Sequence, residues 1–192
     1  MAYGSPLQAR QSDAVKQFGL YAYTKGINGL PVFFADGKAQ IGYMSASNST
    51  LKRELYFTTS VNNSHIWEAH VNITEPDIIP RALDAKLQQF ENNSTTVLVY
   101  LAQENSNSTF GSIAFTAPDD ISGKNVAAFD MYGTNALITS PPAAFYAVPN
   151  EKDKFYSLMW STAPKDGYTL LSLTTMGIWR QPLHLSLHID YN

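Results

Sequence analysis

The sequence predicts an all-β fold: one antiparallel β-barrel or sandwich of about ten strands, with at most one short helix, spanning residues 17–192. Three observations carry this expectation. Short runs rich in aromatic and β-branched residues recur roughly every ten residues, separated by turn signals. Asp36-Gly37 sits between two such runs in VFFADGKAQIGYM, and this dipeptide favours a tight hairpin because both of its residues tolerate positive φ. In PLHLSLHID, Leu183, Leu185, Leu187 and Ile189 alternate with His184, Ser186, His188 and Asp190, giving one apolar and one polar face. At 192 residues the chain is long enough for one sizeable core and short for two.

The elements follow in order. Residues 1–16, MAYGSPLQARQSDAVK, contain no apolar stretch of signal-peptide length and read as a flexible, processed N-terminal tail. FGLYAY, residues 18–23, is the first strand, and KGINGLP after it carries turn residues. Further strands are expected at Glu54–Thr59, His65–Ile73, Thr96–Ala102, Gly111–Thr116 and Val126–Tyr132. Ala136–Thr139, Ala144–Val148, Phe155–Ser161, Tyr168–Thr175 and Leu183–Ile189 complete the series. IIPRALDAKLQQF, residues 78–90, has Ile79, Leu83, Leu87 and Phe90 at helical spacing with Pro80 in the first turn. Leu83, Ala85 and Leu87 fit one face of a strand equally well, so both readings stay open there.

Composition narrows the partners. Charged residues make up 15%, against about 25% in ordinary soluble proteins. The net charge is −3, with no basic run to follow a phosphate backbone, so nucleic acid is not expected as a partner. No segment has the roughly 20 apolar residues of a membrane-spanning helix. The absence of cysteine excludes disulfides, thiolate metal sites and a cysteine nucleophile.

Asparagine followed by a non-proline residue and then Ser or Thr occurs at Asn48, Asn62, Asn72, Asn92, Asn93 and Asn107. The Asn, Ser and Thr content would give roughly two such triplets by chance. Six within residues 48–109 point to N-glycosylation and a secreted chain. Three of them bracket the apolar run Val97–Leu101 in ENNSTTVLVYLAQENSNSTF, which places polar loops at both ends of one strand.

No residue pattern announces catalysis. His65, Glu68 and His70 in HIWEAH lie at i, i+3 and i+5, whereas a zinc helix needs histidines at i and i+4. On a strand His65 and His70 point to opposite faces, while Glu68 and His70 share one. His184 and His188 share a face but lie about 13 Å apart, too far to chelate one ion by themselves. No metal and no cofactor is therefore expected. Glycoside hydrolysis needs two carboxylates about 5 to 9.5 Å apart, for which Glu68, Asp119, Asp120 and Asp130 are the candidates. Asp119-Asp120, between Pro118 and Gly123, reads first as turn chemistry. Phe33-Phe34, Phe145-Tyr146 and Phe155-Tyr156 each place one ring outward on a regular strand. Trp67, Trp160 and Trp179 are the candidate binding rings, with closure of the core as the simpler role.

FGLYAYTKGINGLPVFFADGKAQIGYM with the preceding SPLQARQ, and again FYAVPN and FYSLMW within residues 145–160, resemble small secreted proteins of filamentous fungi. That group includes elicitors of the hypersensitive response from plant-pathogenic fungi. The resemblance implies a mostly β, barrel-like secreted protein without enzymatic activity, perceived by plant cells. A host protein or a cell-wall glycan is then the expected partner. Two rival expectations stand beside it: a lectin-like wall protein using exposed aromatic rings, and a glycan-active hydrolase using two of the four carboxylates.

Overall fold

The computed structural model describes residues 17–71, 96–150 and 155–177. Among these residues twelve strands form one antiparallel sheet: β1 (Phe18–Thr24), β2 (Ile27–Ala35), β3 (Lys38–Gly42), β4 (Lys52–Thr59), β5 (Trp67–Val71) and β6 (Thr96–Gln103) come first. They are followed by β7 (Phe110–Thr116), β8 (Phe129–Tyr132), β9 (Asn135–Thr139), β10 (Pro142–Pro149), β11 (Phe155–Ser161) and β12 (Thr169–Gly177). A 3-10 turn, Met44–Ala46, follows β3. The expected helix over 78–90, the strand Leu183–Ile189, the tail 1–16 and the histidines His184 and His188 lie outside the described residues.

The hairpin at Asp36-Gly37 forms as the sequence requires. Asp36 and Gly37 take φ of 47° and 85°, and Val32 to Ala35 pair in register with Ile41 to Lys38. The first turn is tighter than expected. Only Lys25 and Gly26 separate β1 from β2, and Ile27 to Pro31 belong to the strand, with a register shift at Ala22/Tyr23 that accommodates them.

The sheet closes on itself. β1 pairs with β2, β2 with β3, β3 with β11, β11 with β10, β10 with β12, and β12 with β1. A second closed path runs through β2, β4, β5, β6, β7 and β3, so the two share the β2–β3 hairpin. This branching is possible because β1 and β4 follow one another along the same edge of β2. β1 holds the part up to Pro31, and β4 holds Phe33 to Ala35. Closure leaves few edges for pairing with another chain.

Alternation fills the interior. Leu20 and Ala22 on β1, Val32 and Phe34 on β2, Leu55 and Phe57 on β4, and Val97, Val99 and Leu101 on β6 point into one contiguous apolar cluster. Each of these side chains is buried, which is the dominant favourable term in folding. The β8–β9 hairpin adds Phe129 and Ile138, and the Phe129 ring stacks on Trp67 with centroids 5.1 Å apart. Trp67 also meets Phe18 edge-on at 5.4 Å. One strand of this hairpin, β8, ends the sheet. Its edge is occupied: the Phe129 N–H donates to the His65 carbonyl, and the Met131 N–H to Asp130 Oδ1.

Burial also extends to the outer surface. Phe33, Tyr146 and Phe155 alternate away from the interior, yet are 2%, 5% and 6% exposed. For Phe33 the cover is the segment 43–51, which leaves the end of β3 and crosses the outside of the β2–β3 hairpin to reach β4. Outward-facing Gln40 holds it: Gln40 Nε2 donates to Ser49 Oγ (3.2 Å), and Ser47 Oγ donates to Gln40 Oε1 (2.8 Å). Lys52 Nζ donates to the Ser47 carbonyl at 2.9 Å, and Asp36 accepts from the N–H groups of Thr50 and Leu51. The second half of the crossing, residues 47–51, is thus tied down by polar side chains of β3, β4 and the β2–β3 turn.

Candidate functional site

The crossing segment does not lie flush on the sheet. Between it and the outer faces of β1, β2 and β4 is a cavity of about 620 Å³. Phe33 and Pro31 from β2 and Tyr21 from β1 line its sheet side, and Tyr43, Met44 and Ser45 line the crossing side. Glu54, the cross-strand neighbour of Phe33, stands at its margin. The Tyr21 ring lies back over Gly19, where a Cβ would come within 3.0 Å of the ring. Glycine at this position therefore seats the tyrosine. Tyr43 is 66% exposed, and Glu54 is exposed, its carboxylate making no ion pair or hydrogen bond to a side chain among the described residues. Among the described residues, no Lys or Arg lines the cavity.

A second, more open cavity of about 380 Å³ lies beside the end of β6. Tyr100, Gln103, Asn105, Lys124 and Asn125 line it, and Trp160 forms part of its base. Lys124 is already engaged. Its ammonium sits 2.6 Å from Asp120 Oδ2 and 5.7 Å from the centre of the Tyr100 ring. The lysine accordingly holds the exposed Asp120 carboxyl below the usual carboxylate range, with a smaller contribution from Thr116.

Two of the three tryptophans expected as binding rings belong to the core. Trp67 and Trp160 are each 1% exposed, inside the core cluster. On β5 and β11 their positions alternate inward, so their ring faces meet other core side chains rather than solvent. The Trp160 Nε1–H donates to the Ala102 carbonyl (3.1 Å), whereas the Trp67 Nε1–H has no partner among the described residues. Trp179 lies outside the described residues. The rings that line the 620 Å³ cavity are tyrosines and a phenylalanine. Alternation in VFF and in GLYAY marks Phe33 and Tyr21 as outward, but only the crossing segment makes a cavity of them.

The four carboxylates weighed for hydrolysis are dispersed, and none lines either cavity. Glu68 lies on the outer face of β5, opposite Thr58 and Leu98. Asp130 on β8 is 3.6 Å from His65 Nδ1. Asp119 and Asp120 occupy a turn closed by the Asp120 N–H and the Ala117 carbonyl, in line with the turn chemistry of that pair.

His70 on the outer face of β5 is closely surrounded. Its Nε2 and Nδ1 lie 2.8 and 3.1 Å from the hydroxyls of Thr58 and Thr96, and its ring stacks on Tyr56 at 4.7 Å. Burial pushes the imidazole below its ordinary pKa, against a smaller opposing effect of Glu68. Such a ring is held neutral. Among the described residues no group of three or more His, Cys, Asp or Glu side chains is placed to hold a metal ion.

Asn48, Asn62 and Asn107 are exposed. Asn48 lies on the crossing segment, Asn62 between β4 and β5, and Asn107 between β6 and β7. The last two share one end of the barrel, because β4 and β6 run in the same direction. Asn72, Asn92 and Asn93 lie outside the described residues. Fold and site together define a closed antiparallel β-barrel bearing an aromatic cavity on its outer face. Comparison with known protein families, curated proteins and solved structures returns no match to the chain. Among the described residues, no helix is long and apolar enough to cross a membrane.

Proposed function

We propose that the chain is a secreted, non-catalytic recognition protein of fungal origin, an effector or elicitor perceived by plant cells. The observation that supports it best is the cavity of about 620 Å³ under residues 43–51, whose size lies in the roughly 300–1,000 Å³ range of ligand sites. It is lined by aromatic and apolar groups with a few polar ones, a composition suited to holding a ligand. The acid pair that a hydrolase requires is not found at either cavity. Secretion draws its support from the glycosylation triplets, of which Asn48, Asn62 and Asn107 are accessible to a transferase. The resemblance of β1 through β3 to secreted fungal elicitors supplies the biological setting.

The test is infiltration of the purified full chain into leaves. Localised cell death or defence signalling is expected, and a leaf indifferent at every dose overturns the elicitor reading. Glycosidase treatment of the natively produced protein should lower its mass. An unchanged mass removes the support for secretion.

A further inference from the structure

We propose that the cavity beneath residues 43–51 binds a neutral oligosaccharide, with a pyranose ring stacked on Tyr43 and its hydroxyls bonded at Glu54. This rests on the recognition reading above and assigns it a ligand class. Tyr21, Tyr43 and Phe33 supply aromatic surface, and Met44 and Pro31 extend it. The apolar face of a sugar ring packs on such surface, and its rim of hydroxyls needs partners that both give and accept. Tyr21, Tyr43 and Ser45 hydroxyls do both, and the Glu54 carboxylate accepts from two adjacent hydroxyls at once.

Charge decides against the alternatives. Without Lys or Arg in the lining, a phosphate or sulfate finds no counter-ion. An organic cation would pair with Glu54, but that carboxylate is exposed, where solvent screens an ion pair to little net gain. A cation would also leave the three hydroxyls without a role. A sugar uses all of these groups together.

Titration calorimetry of the full chain with cellohexaose, laminarihexaose and chitohexaose tests the assignment, with benzyltrimethylammonium as the cationic probe. At least one hexasaccharide is expected to bind. Tyr43→Ala should weaken it by roughly tenfold or more through lost stacking. Because the Tyr43 side chain is two-thirds exposed, that variant is expected to keep its melting temperature. Glu54→Gln should weaken sugar binding several-fold, and Tyr132→Ala, an exposed ring on β8 away from the cavity, should leave it unchanged. Binding of no hexasaccharide, equal binding by Tyr43→Ala, or binding of the ammonium probe alone each overturns the proposal. A leaf response that persists without any sugar binding refutes the ligand and leaves the recognition reading standing. Sugar binding without a leaf response does the reverse.

Discussion

At Gly111 the barrel depends on a missing side chain. A Cβ there would lie 1.8 Å from the Ala102 carbonyl oxygen, well inside any real contact, because β6 and β7 approach closely at that point. The same oxygen accepts the Trp160 Nε1–H, so the close approach also seats the buried indole. Gly111→Ala must therefore push the two strands apart, and overpacking of this kind costs about 1–3 kcal/mol. A lower urea midpoint is expected, and an unchanged midpoint would show that the strands separate freely. The two core indoles offer a paired comparison. Trp160→Phe strips a bonded donor and leaves the Ala102 carbonyl with one partner fewer, whereas Trp67→Phe removes a donor that has no partner among the described residues. With similar loss of ring volume, Trp160→Phe should be the more destabilising by about 1 kcal/mol. Equal losses in chemical denaturation would contradict that account.

Elements made by local chemistry were legible in the sequence. The Asp36-Gly37 hairpin needs only two residues able to take positive φ, and the alternation of Val97, Val99 and Leu101 gives the inner face of β6 directly. The segment 43–51 was not legible, because its course is set by contacts between residues distant from the turn signals. Gln40, Ser47 and Ser49 are ordinary polar residues until the sheet brings them together. The burial of two of the candidate tryptophans was hidden by the same difficulty. Tryptophan count and size say nothing of direction, and direction comes from the strand register that turns Trp67 and Trp160 inward. The crossing segment has its own test. Gln40→Ala removes both side-chain bonds to it, a loss of about 1–2 kcal/mol in all. Amides of residues 46–49 should then exchange faster while those of β6 stay protected, and affinity for any cavity ligand should fall. Unaltered exchange at 46–49 would mean that Asp36 and Lys52 suffice to hold the crossing.

Over the whole molecule, stability should depend on pH through His70 in a window that few other groups share. In the folded chain burial lowers the imidazole pKa, while Glu68 opposes that effect only in part. In the unfolded chain the ring titrates at its ordinary value of about 6.5. Below that value the unfolded state binds the additional proton first, so stability falls as pH drops. The contribution is complete above about pH 6.5 and is lost as pH falls through the lower folded value. Protonation would also disturb the outer face of β4 to β6, since a neutral ring donates at one nitrogen and accepts at the other, whereas the charged ring must donate to both Thr58 and Thr96. Asp120, whose carboxyl is held low by Lys124, acts in a separate range: its contribution is present above the ordinary carboxylate value and lost only at more acidic pH. Thermal melts from pH 7.5 to 5 should therefore show a decline in the wild-type chain that is reduced in His70→Gln. Parallel declines in the two proteins would assign the acid sensitivity to other groups and remove His70 from the account.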